Sequence, residues 1–315
     1  MTSNNQCTVI TYHYVRPIKQ SKYPQIKGLE LEDFTKQIKF LKSKFQFITI
    51  QQLLDNIYEN KDIPTNSVLL TFDDGLKDNY THVFPILCDF GIQGVFFPSA
   101  KPILFKSVLD VHKIHFILAT CVDVNLLIND IFELIRKNKK NYDLEDPLLY
   151  FQRLAIPNRF DTKEIIFIKR ILQRELPEEL RSVIVDKLFL KYVTQNQEKF
   201  SQDLYLSLDE INEMMSSGMY FGSHGFSHEW LSFLNPQKLQ IEIEKGKDFC
   251  NLIGVDKNYL TMCYPYGNYN DYVIEELKKF QFKAAFSVIQ NKTNLLKSNL
   301  FTLERFDTND VKNFV

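Results

Sequence analysis

Apolar residues recur along this chain with two different periods, and the change from one to the other outlines its elements. The β-branched and aromatic runs Val9–Val15 and Val68–Phe72 read as strands. Between them, Phe34, Ile38, Leu41 and Phe45 recur at helical spacing. A short strand at Phe47–Ile50 and a helix carrying Leu53, Leu54 and Ile57 follow. A helix through Val83, Ile86 and Leu87 is expected to stop at Gly91, and Gly94–Pro98 reads as the next strand. The alternation resumes late. Ser207 and Glu210 form a capping-box start for a helix with Ile211, Met214 and Met215 on one face. Tyr220–Gly222 follows, and Asn235–Pro236 opens a further helix. Leu260–Tyr264, Ala284–Val288 and Leu300–Leu303 are the last strand candidates. Strands alternating with helices predict a parallel sheet of the α/β class, closed into a distorted (β/α)7-8 barrel.

Between Ser99 and Gln202 the strand signals vanish. Asp161–Glu164 resembles a capping box ahead of Ile165, Ile168 and Leu172, and Leu176–Pro177 restarts a helix carrying Leu180, Ile184 and Leu188. The expectation is one domain over 1–315, its barrel interrupted by a helical insertion at about 101–202. The basic run Arg136–Lys140 reads as a solvated face.

Composition narrows the partners. A length of 315 residues buries a sizeable core, and a net charge of -1 argues against general nucleic-acid binding. Five cysteines, an odd number without CxxC spacing, read as reduced and mostly buried thiols. No apolar stretch is long enough to span a bilayer, and Met1–Gln6 shows no basic start. A cytoplasmic location is the expectation, with peripheral membrane contact left open.

Two pairs carry candidate chemistry. Asp73 and Asp74 sit where a strand meets Gly75, and in a parallel barrel the C-terminal strand ends form the active face. Asp-Asp-Gly is also ordinary turn punctuation. His224 and His228 have i, i+4 spacing, which predicts two rings on one side of a helical turn. Gly222 and Gly225 flank His224. Two surface histidines are the plain alternative. Taken together, two carboxylates and two imidazoles suit a divalent ion such as zinc: three groups to hold it and a fourth to deprotonate water.

Leu70–Gly75 (Leu-Thr-Phe-Asp-Asp-Gly), then Gly222–His228 with Leu231 after it, then Tyr264–Gly267 (Tyr-Pro-Tyr-Gly), resemble the polysaccharide deacetylases. This is the NodB-homology group, or carbohydrate esterase family 4. The resemblance covers roughly residues 7–100 and 203–308. It implies a metal-dependent hydrolase that removes N-acetyl groups from an amino sugar in a glycan or glycan precursor, by cleaving a linear amide C–N bond. Asp73 would be the general base. Asp74, His224 and His228 would hold the metal, with zinc expected. The Tyr266 backbone N–H would help hold the oxyanion. Two departures stand out. Cys263 occupies the position where many members carry Arg, and no His follows His228 to act as general acid. One circularly permuted subgroup, resembling the deacetylases of poly-N-acetylglucosamine export, has its acid His on the first strand, and His13 matches that arrangement. Arg305, just after the last strand candidate, could replace the missing Arg beside Asp73, with a surface ion pair as the plain alternative.

Two other readings compete. A catalytically silent glycan-binding protein has no need of a base and an acid. A glycoside hydrolase needs carboxyl groups roughly 5 to 10 Å apart across the bond, which adjacent Asp73 and Asp74 fit poorly. His112 and His115, three apart on an expected helix, are assigned a structural role, with a place in a cleft as the alternative.

Overall fold

The computed structural model describes residues 6–157, 161–295 and 300–314. Most of the Met1–Gln6 stretch, read above as lacking a basic start, lies outside them. The protein is mixed α/β, 55% helical, and forms two compact units. One comprises 1–17, 28–107 and 201–315, the other 18–27 and 108–200.

The first unit contains all the described strands. Gln6–Tyr12 pairs in parallel with Ser67–Asp74, which pairs in parallel with Gly94–Pro98, and that strand with Tyr220–Phe221. On the other side of Gln6–Tyr12, Phe306–Asp307 runs parallel and Thr293–Asn294 antiparallel. Thr261–Cys263 and Ala284–Phe286 form a separate parallel pair. Isolated bridges join Ser223 to Met262 and Phe286 to Leu303. Among the described residues these ladders do not close into one continuous hydrogen-bonded ring. The expected strand at Leu300–Leu303 is reduced to that single bridge at Leu303.

Register explains how the sheet presents its polar groups. Tyr12, Phe72, Phe96 and Phe221 are paired neighbours across four strands. Their rings stack with centroids 5.1, 4.8 and 5.3 Å apart. All four are buried, and each contributes about 1.5–3 kcal/mol through burial. Side chains alternate along a strand, so the aromatic ladder takes one face. Thr11, Thr71 and Asp73 emerge on the other.

The helical expectations hold in several places. Leu31–Lys44 buries Phe34, Ile38 and Leu41. Ser207 caps Leu208–Ser216 through a capping box with Glu210, and Asn235 caps Pro236–Leu252 through the Lys238 N–H. Phe84–Phe90 ends at left-handed Gly91. Two readings are corrected. Thr49 is not in a strand: its hydroxyl caps Ile50–Glu59 in a box with Gln52. Thr162 rather than Asp161 occupies the cap position of Lys163–Arg170.

Among its described residues, the regular elements of the second unit are all helices. Its core is aromatic: Phe116 meets Tyr23 at 4.8 Å and Phe200 at 4.9 Å, and Phe167 meets Phe151 at 4.9 Å. Tyr23 belongs to the early 18–27 segment, which joins this unit despite its place in the sequence. His112 and His115 lie on the helix Asp110–Thr120, and His112 is fully buried there. None of the described helices is long and apolar enough to cross a membrane.

Candidate active site

The strand Ser67–Asp74 delivers both aspartates to one place by breaking its own pattern. Alternation would send Asp74 to the aromatic face, opposite Asp73. Instead Asp74 has φ of 71°, in the left-handed region, and Gly75 follows at 67°. The turn therefore begins at Asp74, one residue earlier than the glycine implies. Gly75 is required for space as well, because a Cβ there would lie 2.5 Å from Pro98 Cβ.

Asp73 is gripped by charge. Arg305 is buried and donates from Nη1 to Asp73 Oδ1 (2.9 Å) and from Nη2 to Oδ2 (2.8 Å). The same guanidinium meets Thr71 Oγ1 at 3.1 Å, the Ser287 carbonyl at 2.9 Å and Cys263 Sγ at 2.8 Å. Thr11 Oγ1 lies 3.2 Å and Cys263 Sγ 3.3 Å from Asp73 Oδ2. Burial alone would raise the Asp73 pKa, but the Arg305 guanidinium holds it well below the usual carboxylate range. Cys263 leaves room for an arginine that arrives from a different segment, and burial pushes its thiol pKa up.

Asp74 faces imidazoles instead. Its Oδ1 lies 3.5 Å from His224 Nε2 and 3.3 Å from His228 Nε2, and all three side chains are buried. Residues 224–228 are not helical, which corrects the reading of the pair as neighbours on a helical turn. The rings converge because the loop bends at Gly225 and His228, with φ of 73° and 63°. His224 Nδ1 donates to the Cys263 carbonyl at 2.7 Å. That bond commits Nδ1 as a donor, so Nε2 is the nitrogen that meets Asp74 and would offer its lone pair in the neutral ring. The donor set suits a divalent ion: one oxygen and two nitrogens lie within 4.8 Å of one another. A tetrahedral ion with arms of about 2.1 Å needs ligand atoms about 3.4 Å apart, and the two measured separations bracket that value.

Other groups border these two carboxylates. His13 is 45% exposed in its side chain, with Nε2 3.8 Å from Asp73 Oδ2. Tyr266 has φ of 57°. Its ring packs edge-on to His228 at 4.6 Å and stacks on Trp230 at 4.3 Å. Asp74, His228 and Tyr266 are thus non-glycine residues in left-handed backbone at one site, a strain of about 1–3 kcal/mol each that persists only where surroundings enforce it. Asp73, His224 and Cys263 form a second cluster with ligand-type atoms, but there Arg305 already supplies the positive charge.

Sequence reasoning missed Thr11, the Cys263 thiol contact and Glu242. Buried Glu242 accepts from the Ser227 N–H (2.6 Å) and hydroxyl (2.7 Å), pinning the middle of the His224–His228 loop. A signal existed, since Glu242 lies between Leu239 and Ile243 on the buried face of its helix. Thr11 carried none, because strand register is not readable from one strand alone.

Residues 189–285 match the family described as "Polysaccharide deacetylase". That span includes His224, His228 and Tyr266 and stops short of Asp73, Asp74 and Arg305. Among solved structures, the chain is similar to the Streptococcus pyogenes deacetylase PplD in complex with acetate. The identity is 14% over 96% of this chain and 92% of that one, with a TM-score of 0.59. IcaB from Ammonifex degensii is similar at 18% identity, over 98% and 94%, with a TM-score of 0.57. The de-N-acetylase from Aggregatibacter actinomycetemcomitans is similar at 18% identity, over 98% and 100%, with a TM-score of 0.53. At these identities the likeness concerns the fold. No curated protein matches the chain in sequence.

Proposed function

We propose that this chain, which resembles the polysaccharide deacetylases in motif order, family match and fold, is a metal-dependent hydrolase that removes N-acetyl groups from an amino sugar in a glycan or glycan precursor. The observation that carries the reading is the convergence of two distant loops: Asp74, His224 and His228 meet as a three-donor set, with Asp73 beside them in a different electrostatic setting. Asp74, His224 and His228 would hold a divalent ion, with zinc the best match to this donor set, and it would supply Lewis-acid chemistry and a more acidic water.

The chain's own groups do the rest. Asp73 is ionised at every working pH because of Arg305, so it presents a fixed acceptor for a proton from the attacking water. A carboxylate held so low is a weak base, and it therefore depends on a water already made acidic. Thr11 and Arg305 fix its orientation. His13 stands open to solvent, with the Asp73 charge near the nitrogen that would carry a proton. It is the group that protonates the leaving amine. The Tyr266 amide, set by its left-handed backbone, donates to the developing oxyanion. Acetate, present with the S. pyogenes deacetylase, is the expected second product.

The architecture follows the same proposal. On this reading the strands form a distorted barrel, permuted so that its first strand carries His13, with the helical unit as an insertion; the isolated bridges at Ser223–Met262 and Phe286–Leu303 support it without closing the ladder. A silent glycan-binding role is less well supported, because a binder has no use for a buried Arg305–Asp73 clamp beside His13.

The test is acetate release from N-acetylated oligosaccharides by zinc-loaded protein, repeated after chelation and with Asp73→Asn. Activity is expected to vanish on chelation and return with zinc. Asp73→Asn should retain zinc and lose about 10²- to 10⁴-fold in rate. Full activity in chelated protein would sink the metal assignment, and an unimpaired Asn variant the base.

A further inference from the structure

The Tyr266 amide needs a backbone that a tyrosine does not choose. Tyr266 has φ of 57° and ψ of 10°, a left-handed conformation in which a bulky residue is an outlier. Gly267 follows at φ of 64°, and a Cβ there would lie 2.2 Å from Val288 Cγ2. Two backbone bonds close the turn. The Gly267 N–H donates to the Tyr264 carbonyl at 2.9 Å, and the Asn268 N–H to the Pro265 carbonyl at 3.0 Å. The Pro265 carbonyl and the Tyr266 N–H belong to one planar peptide. If Tyr266 relaxes out of left-handed backbone, that peptide rotates and the N–H turns with it.

A brace for the side chain comes from the loop that follows His228. The Trp230 ring stacks on Tyr266, with centroids 4.3 Å apart and planes 8° from parallel. The backbone behind Trp230 is anchored. Leu231 is fully buried, and the Phe233 N–H donates to the Trp230 carbonyl at 3.0 Å. The Ser232 N–H donates to Asn268 Oδ1 at 2.8 Å, which ties this loop to the end of the Tyr266 turn. A buried indole N–H usually finds a partner. The buried Nε1 of Trp230 has none among the described residues. The indole therefore contributes its broad flat face, not its donor.

We propose that Trp230 is a positioning residue: its ring braces Tyr266 in left-handed backbone and so keeps the Tyr266 N–H aimed at the developing oxyanion. The inference rests on the deacetylation proposed above. Stacked rings attract each other beyond simple burial, which offsets strain that the turn would otherwise shed. Without the brace, only a fraction of the molecules holds the amide in place, and each interaction that uses it weakens by that fraction. An oxyanion donor acts most strongly in the transition state, so kcat should fall while KM stays nearly fixed. Acetate, whose anionic oxygen would take the same place, should lose affinity by a similar factor.

Trp230→Leu, which keeps apolar bulk without the flat face, tests the proposal at saturating zinc. It should hold zinc as wild type does, lower kcat by about tenfold and weaken acetate by about tenfold, with little change in KM. Acetate affinity is read from the NMR line width of its methyl group, so this arm does not depend on which sugar is supplied. Trp230→Phe restores a flat face and removes the unpartnered N–H, and should recover most of both losses. Asn268→Ala cuts the tie and leaves the stack. It should give a smaller fall in both quantities, and it keeps the test available if the unfolding midpoint shows Trp230→Leu to be misfolded. Zinc-loaded wild type that neither binds acetate nor releases it sinks the deacetylation reading. Wild type that binds acetate, with folded Trp230→Leu matching it in acetate affinity and kcat, overturns the positioning role alone. So does loss of zinc from Trp230→Leu, or an equal loss of acetate affinity in Trp230→Phe.

Discussion

Asp73 lies on the face of its sheet opposite the aromatic ladder, gripped by Arg305, Thr11 and Cys263. Asp74, one residue on, stands in left-handed backbone against two imidazoles. The same side chain thus serves two purposes that sequence adjacency hides. Around Asp73 the compensating charge is permanent, because a guanidinium does not deprotonate at working pH. Around Asp74 the partners are imidazoles, which can be neutral and leave the carboxylate's charge to a cation. On the proposed function, environment rather than residue type divides the base from the ligand.

The largest effect should come from breaking the Asp74 half. His224→Ala removes one donor and the ring that Cys263 holds in place. Zinc measured by elemental analysis should fall to background, and acetate release with it, while the Asp73 clamp is untouched. A variant that keeps one zinc per chain would mean that the ligands lie elsewhere.

Breaking the Asp73 half should act on stability as much as on rate. Arg305→Leu leaves a buried carboxylate without its counter-charge, at a cost of roughly 3–5 kcal/mol, readable from urea unfolding. The pH dependence carries a sign. In the native protein the Asp73 pKa is depressed. Its stabilising contribution is therefore complete above the unfolded carboxylate value, about 3.9, and is lost as pH falls through the lower folded value. Without Arg305, burial raises that pKa instead. Ionised Asp73 then destabilises the fold as pH rises, and the acid limb of the activity profile moves toward neutrality. An unchanged profile and midpoint would remove Arg305 from any role at the base.

Much of this contrast was visible in the sequence, and the reasons for the rest are physical. The run Val68–Phe72, the Asp pair and the His pair announce themselves by residue type and local spacing. Arg305 was marked as a partner for Asp73 only through an absence at Cys263, since 232 residues separate the two and no periodicity links them. The i, i+4 reading of His224 and His228 placed the rings together for a wrong reason: left-handed backbone at His228, not a helix, makes them converge. Ladder closure was equally out of reach. The apolar run Leu300–Leu303 did read as a strand, but pattern alone does not show that it meets Phe286 through a single bridge at Leu303. Thr11 and Glu242 act through neighbours brought up by tertiary packing, so their roles appear only with coordinates.

A smaller effect should sharpen the line between charge and proton transfer. His13 lies 3.8 Å from Asp73 Oδ2 but is 45% exposed, so its loss should cost little stability. His13→Gln should keep zinc and the unfolding midpoint, and lower kcat by about 10²-fold. Loss of zinc would instead place His13 among the ligands.

The smallest effect should come from behind the Asp74 half. Glu242 supports the loop that carries His224 and His228. Its two oxygens hold the N–H and hydroxyl of Ser227, between them. Gly225 admits it there, since a Cβ would come within 2.9 Å of Glu242 Oε1. Glu242→Ala should loosen the loop and weaken zinc by about 10- to 100-fold, as loss of a supporting hydrogen bond commonly does. Glu242→Gln keeps one acceptor and can donate to the Ser227 oxygen, so it should weaken zinc less. Because Glu242 acts on the geometry of the donors and not on the reaction, kcat at saturating zinc should be unchanged in both variants. A helix residue with only a packing role would lower the unfolding midpoint without moving the zinc titration. A fall in kcat that excess zinc does not restore would instead tie Glu242 to the Asp73 half, and the two carboxylates would then share one support.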